Sequence, residues 1–284
     1  MKNNGIIPIN KPSGWTSFDV VNKIKHMVKP LKVGHLGTLD PMATGVLLVT
    51  IGKATKLFDL MQEKEKTYIA EFKFGMLTDT LDITGEVLET RRVEKITLEM
   101  LEKATQNLIG EIDQIPPKYS AKSINGKRAY ELARNNIEFE IPAKRVKIFN
   151  IDILKFNGET FELKISCGSG TYIRAIGRDI AKSLGTIATM SSLVRTSVGS
   201  ISLEDSINIE SLSKDNVFDK MIQLNNVLNY SELLCNEQEK FKLLNGQLLD
   251  RNLPDGVYKL NDNEDTVALI KISNNKAKML LFLG

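Results

Sequence analysis

Cysteine and histidine are nearly absent from this sequence. Its 284 residues include only two of each, Cys167, Cys235, His26 and His35. Neither pair has metal-ligand spacing, and two isolated cysteines cannot staple a scaffold, so neither a disulfide framework nor a metal site is expected. Long apolar runs are also missing. The N-terminus, Met-Lys-Asn-Asn-Gly-Ile-Ile-Pro, lacks a signal-peptide core, and the apolar stretches elsewhere fall short of a membrane span. A cytoplasmic protein with no membrane association is the expectation. No phosphate-cradling Walker loop, dinucleotide fingerprint or internal repeat occurs, which removes the usual sequence grounds for nucleotide-driven or redox chemistry and for a solenoid.

What is present is a 42% hydrophobic, 26% charged chain with a net charge of only +3. The length suits one sizeable core plus a smaller module. The charge is unevenly distributed. Residues 1–66 carry ten lysines against five acidic residues, and residues 118–147 carry eight basic against three acidic side chains. Residues 67–117 reverse this, with five basic and ten acidic, and residues 231–284 are near neutral, with seven and eight. Local basic patches of this kind suit phosphate contacts, although a solvated charged face would look the same.

Ser17 is placed to cap a helix whose Val20, Val21, Ile24, Met27 and Val28 recur at helical spacing before Pro30. A glycine-rich loop from Val33 to Gly45 leads into an apolar strand at 46–51, which puts Asp40 on a loop beside a strand. Tyr68, Ala70, Phe72 and Phe74 alternate on one strand face, and Phe161, Leu163, Ile165 and Cys167 on another. A helix is expected over 97–108. The basic 118–147 excursion, with Tyr119, Lys122, Lys127, Arg128 and Tyr130, reads as a short helix or mobile flap. Ile173, Ile176, Ile180 and Leu184 predict the buried stripe of a helix stopped by Gly185. Short strands at 257–260, 266–272 and 278–283 predict a small β-rich module, so the whole is expected to be α+β.

Composition alone reads Asp40-Pro41 as a turn, Arg174 as a charged helix face, Leu193 as core and His35 as a structural loop residue. The longer string Gly34-His35-Leu36-Gly37-Thr38-Leu39-Asp40-Pro41-Met42-Ala43-Thr44-Gly45 changes that reading. It resembles the catalytic motif of the tRNA pseudouridine synthase B family. The resemblance continues in order through Lys11-Pro12-Ser13-Gly14, Lys66-Thr67-Tyr68, Gly170-Thr171-Tyr172-Ile173-Arg174 and Leu193-Val194-Arg195.

The resemblance implies a mixed, mainly antiparallel catalytic sheet with flanking helices over 1–230. It further implies an RNA-clasping insertion at 118–147 and a reduced PUA-like module at 231–284. Asp40 would be the nucleophile that releases a uracil from its ribose for reattachment through C5. Arg174 would keep that carboxylate ionised and aimed, and Tyr68 would stack on the base. Tyr172 and Leu193 would wall the pocket, His35 would lie near the gap left by the flipped nucleotide, and Lys11 would support the active-site loop or touch substrate. Ser169 stands where many relatives carry a basic residue. The implied substrate is uridine 55 in the T arm of tRNA, with no cofactor, metal, guide RNA or obligatory protein partner. Three other readings compete: a guide-dependent synthase of the dyskerin type, a tRNA-folding factor without catalysis, and a glycoside hydrolase. The last would need a second carboxylate that the matching motifs do not supply.

Overall fold

The protein is described by a computed structural model that covers every residue except Met1, Lys2, Asn125, Asn136 and Glu264. The chain opens with β1 (Gly5–Lys11), α1 (Ser17–Met27), β2 (Val33–His35), β3 (Thr44–Ile51) and α2 (Phe58–Gln62). Next come β4 (Lys66–Phe74), β5 (Met76–Thr78), β6 (Val87–Thr90), α3 (Leu98–Gln106), β7 (Gly110–Gln114), β8 (Ser123–Ile124), β9 (Lys127–Arg128) and α4 (Ala129–Arg134). Long strands β10 (Lys144–Phe156), β11 (Thr160–Cys167) and β12 (Ala188–Val198) follow, with α5 (Ile173–Ser183) between the last two. The remainder holds β13 (Ile201–Ser202), β14 (Ile207–Asn208), α6 (Leu224–Val227), β15 (Ser231–Glu232), α7 (Glu237–Leu244), β16 (Leu249–Asp250), β17 (Gly256–Asp262), β18 (Asp265–Ser273) and β19 (Lys276–Phe282). The fold is α+β with mainly antiparallel sheet.

These elements form two compact units, one of Met1–Pro41, Val46–Gln62 and Gly199–Gly284, the other of Met42–Gly45 and Glu63–Val198. In the first unit β1 lies between β14, which it pairs in parallel, and β3; β2 pairs antiparallel with β3, Val33 opposite Ile51. The helix α1 buries Val20, Val21 and Ile24. Its cap is Thr16, not Ser17 as the sequence pattern suggested. Thr16 and Asp19 form a reciprocal capping box, which frees the Ser17 hydroxyl for a contact with Leu39. The C-terminal strands run in the order β15-β17-β18-β19-β16 over a core of Leu233, Leu243, Leu260, Ile270 and Ile272. This small β-rich sheet fits a PUA-like module.

The second unit is built on antiparallel strands in the order β12-β4-β11-β10-β7. Its buried face alternates as the sequence predicts, with Phe72 and Phe161 stacked at 5.0 Å between ring centroids. The helix α5 covers that end. Ile173, Ile176 and Ile180 are buried, whereas Leu184 caps the helix half-buried and Gly185 follows at φ +74°. A Cβ on Gly177 would come within 2.2 Å of the Phe72 ring, so glycine allows this close helix-to-sheet approach. Gly177→Val is expected to lower stability by roughly 2–3 kcal/mol through overpacking, read as a lower denaturant midpoint at unchanged slope. In the basic segment the structure places a β8–β9 hairpin and α4, and β10 already begins at Lys144; Asn125 and Asn136 of that segment lie outside the described residues. Among the described residues no helix is long and apolar enough to cross a membrane, and no cluster of three or more His, Cys, Asp or Glu could hold a metal ion.

Candidate active site

Asp40 lies half-buried on the loop between β2 and β3, and both peptides that flank it are fixed. On one side the Ser17 hydroxyl accepts from the Leu39 N–H at 2.9 Å and donates to the Leu39 carbonyl at 3.3 Å. On the other, the Pro41 carbonyl accepts from the Gly14 N–H at 2.9 Å and from Lys11 Nζ at 3.1 Å. The Lys11 ammonium also donates to the carbonyls of Pro12 at 2.9 Å and Trp15 at 2.6 Å, and the side chain is fully buried. A buried ammonium is tolerated only when its donors are used, and three carbonyls use them here. Lys11 is thus a bracket beneath the Asp40 loop. His35 ends β2, half-buried, in register with Val49.

From Pro41 the chain enters the second unit as Met42–Gly45. Thr44 and Gly45 pair in parallel with Val194 and Arg195 of β12. Gly45 sits at φ +103°, and a Cβ there would overlap the Arg195 backbone, so the last glycine of the motif is required twice over.

The strand β4 carries Tyr68, buried to 7% exposure, opposite Ile165 of β11 and Arg195 of β12. Leu193, at 6%, lies opposite Ala70 on the same face. Tyr68 and Leu193 are therefore brought together. Along this face the side chains change from Phe72 and Phe161, through Ala70, Leu163 and Leu193, to Tyr68 with Arg195, and finally to Lys66 with Cys167. Tyr68 stands where an apolar surface becomes a cationic one, an arrangement suited to a base with one stacking face and polar edges.

Burial, and then the nearby Arg195 guanidinium, lower the Lys66 pKa to about 8, while burial raises the Cys167 thiol to about 11. The signs are opposite in their effect on stability. Above pH 8 the folded protein releases the Lys66 proton before the unfolded chain does, so this group makes stability rise with pH; above about 9 the unfolded chain loses the Cys167 proton first, and stability falls. Chemical denaturation from pH 7 to 9 is expected to show a gain of about 1 kcal/mol in the wild type relative to Lys66→Met. An identical profile in the two proteins would contradict it.

Tyr172 is the half-buried N-cap residue of α5, tied through its backbone to Gln114, which accepts from Tyr172 N–H at 2.8 Å and donates to its carbonyl at 3.2 Å. Arg174, 6% exposed, donates to the carbonyls of Thr80 at 2.7 Å and Tyr119 at 3.0 Å, and its guanidinium lies 3.5 Å from the Asp82 carboxylate. The other Asp82 oxygen accepts from Thr80 Oγ1, Thr84 N–H and Thr84 Oγ1. Leu81, between these groups, adopts φ +63°, a left-handed conformation that costs a branched residue roughly 1–2 kcal/mol. Asp82 and Gln114 carry no signal of such a role in the sequence, Ser17 reads there only as a helix cap, and Lys66 and Arg195 stand in the matching strings with no assigned role. Asp82 lies in an acidic, threonine-rich run that reads as a turn; only the buried guanidinium beside it distinguishes it.

Residues 25–173 match the family described as TruB family pseudouridylate synthase (N terminal domain). The chain belongs to the TruB family of pseudouridylate synthases. It is accordingly a pseudouridine synthase, an isomerase. A TruB relative from Clostridium kluyveri, named tRNA pseudouridine synthase B, is 41% identical over 264 residues, covering 90% of this chain and 91% of its own. Another protein of that name, from Ureaplasma urealyticum, is 50% identical over 212 residues, covering 73% and 92%. Among solved structures, a chain of an H/ACA RNP bound to a substrate RNA containing 2'-deoxyuridine matches with a TM-score of 0.74 at 21% identity, covering 100% of this chain and 86% of that one. A chain of the archaeal box H/ACA sRNP Nop10-Cbf5 complex matches at 0.73 and 19%, covering 100% and 87%. These last two likenesses show that the TruB fold is shared.

Proposed function

We propose that this chain converts uridine 55 in the T arm of tRNA to pseudouridine, with Asp40 as nucleophile and without a guide RNA or protein partner. The clamped Asp40 loop carries the reading. A carboxylate whose neighbouring peptides are both tied to a helix and a strand can be aimed at one carbon, and such positioning supplies much of the rate of a displacement. The tRNA substrate is supported by the shared name of the relatives that align along nearly their whole length.

The reaction breaks the bond from C1′ to N1 with the electron pair leaving on uracil. Asp40 either bonds to C1′ or takes the C2′ proton to give a glycal. The base turns and C5 bonds to C1′, as the Asp40–C1′ bond breaks and its electron pair returns to the carboxylate or, on the glycal route, as Asp40 gives its proton back to C2′; the C5 proton then departs and N1 is protonated. Every step is redox-neutral. Tyr68 stacks on the extruded base, Tyr172 and Leu193 wall it, His35 serves near the gap left by the flipped nucleotide, and Arg174 is the cation that the family resemblance assigns to keeping the nucleophilic carboxylate charged. Phosphates are met by the basic side chains of the 118–147 segment; the near-neutral C-terminal module contributes less.

Release of tritium from C5-labelled uridine in an unmodified tRNA transcript, with the purified chain alone, tests this. Release is expected. A folded protein that binds the transcript and releases none would favour a tRNA-folding role instead.

A further inference from the structure

The surplus of lysine in residues 1–66 has no place in the mechanism above, and four of these lysines lie on or just beyond one helix. Lys11 and Lys66 are buried, but Lys25, Lys29 and Lys32 are exposed along and just beyond α1, and Lys23 is half-exposed on it. Next to them an open cleft of about 510 Å³ is lined by Gly14, Trp15, Asp19, Asn22, Lys23 and His26. Lys23 Nζ lies 5.5 Å from the Trp15 ring centroid. Phe18, one helical position aside, is 69% exposed.

The acidic member of the cleft is already engaged. The Asp19 carboxylate accepts from both the backbone and the hydroxyl of Thr16, bonds that hold its pKa below the ordinary value. The cleft is joined to the active-site loop, because the ammonium of Lys11 bonds both the Trp15 and the Pro41 carbonyls, and Gly14 bonds Pro41. A half-buried indole, an exposed phenyl ring and several cations are the components with which proteins hold unpaired nucleotides: the base stacks and the phosphate meets the charge.

We infer that the exposed side of α1 is a second RNA contact, holding an unpaired nucleotide of the same RNA on Trp15 with its phosphate on Lys23 in the cleft, while the flanking nucleotide passes Phe18 and Lys25 on the adjoining strip of the helix. The inference rests on the reading that RNA is the substrate, but not on the identity of the nucleophile or the position modified. A duplex would use the lysines and leave the rings idle.

Trp15 is the only tryptophan in the chain, so its fluorescence reports this face alone. Titration of the full-length protein with an unmodified tRNA transcript is expected to quench it saturably, with the same Kd as anisotropy of end-labelled tRNA. The exposed double variant Lys23→Glu/Lys25→Glu is expected to raise Kd and KM at least about tenfold with kcat within twofold. Phe18→Ser is expected to raise both about fivefold or more, as loss of a stacking platform does. Binding seen by anisotropy with unchanged Trp15 emission, and all variants within twofold of wild type, would overturn the inference. Tritium release in the same samples reports the uridine chemistry separately: quenching without release would count against the isomerase reading and leave this contact standing.

Discussion

Asp40→Asn is expected to reduce pseudouridine formation by at least about 10⁴-fold, a loss of roughly 5.5 kcal/mol of transition-state stabilisation. Neither route open to the carboxylate survives the change, because an amide is too weak a nucleophile to bond to C1′ and too weak a base to take the C2′ proton. The fold should be largely preserved. The bonds that fix the loop run through the backbone of Leu39 and Pro41, to Ser17, Gly14 and Lys11, and the substitution leaves those groups in place. Single-turnover tritium release would then fall to background while the Kd for tRNA stays within about threefold and the denaturant midpoint hardly moves. If release persisted within tenfold of wild type, Asp40 would not be the nucleophile.

Lys11→Met is expected to damage both stability and rate. Methionine matches the length of the side chain but cannot donate, so the carbonyls of Pro12 and Trp15 lose the Lys11 bond and the Pro41 carbonyl keeps Gly14. Hydrogen bonds from a charged donor contribute about 1.5–3 kcal/mol each, and part of the loss is offset because the cost of burying the ammonium also disappears. A net loss of about 3 kcal/mol is expected in chemical denaturation. Below the melting range kcat should fall about 100-fold with KM little changed, since a loop displaced by about an ångström no longer aims its carboxylate. Lys11→Arg keeps the charge but not the three-way geometry, and should recover stability better than rate. A Lys11→Met protein with wild-type kcat would show that the bracket does not position Asp40.

How far the sequence disclosed this depends on the element. Strands β4 and β11 alternate cleanly because each buries one face, and the pattern reads directly. The strand β10 does not, for a physical reason. Its register shifts between Ile148 and Asn150 and again between Ile153 and Lys155, so the buried positions Val146, Ile148 and Ile151 change phase and no single period describes them. β12 carries two such shifts, between Met190 and Ser192 and between Arg195 and Ser197, and it buries Arg195 to 1% exposure, where a sequence pattern expects an apolar residue. β1 contains Pro8 and is buried almost throughout, which masks a strand behind a proline and an unbroken apolar run.

The same distinction holds in the site. Asp40, Tyr68, Arg174 and Leu193 stand out as candidates because they lie in contiguous strings that resemble a family. Asp82 does not, because its meaning comes from a guanidinium 92 positions away in the chain, brought close only by folding. Lys11 was legible as a motif residue, but its full burial could not be read from a side chain that usually lies in water.

The most direct test of the central claim is a map of the product. The purified chain, alone with an unmodified full-length tRNA transcript, would be run to completion and every pseudouridine located along the RNA. One pseudouridine per molecule, at position 55 and dependent on Asp40, is the expected result. Modification at another uridine, or only after a guide RNA is added, would contradict it.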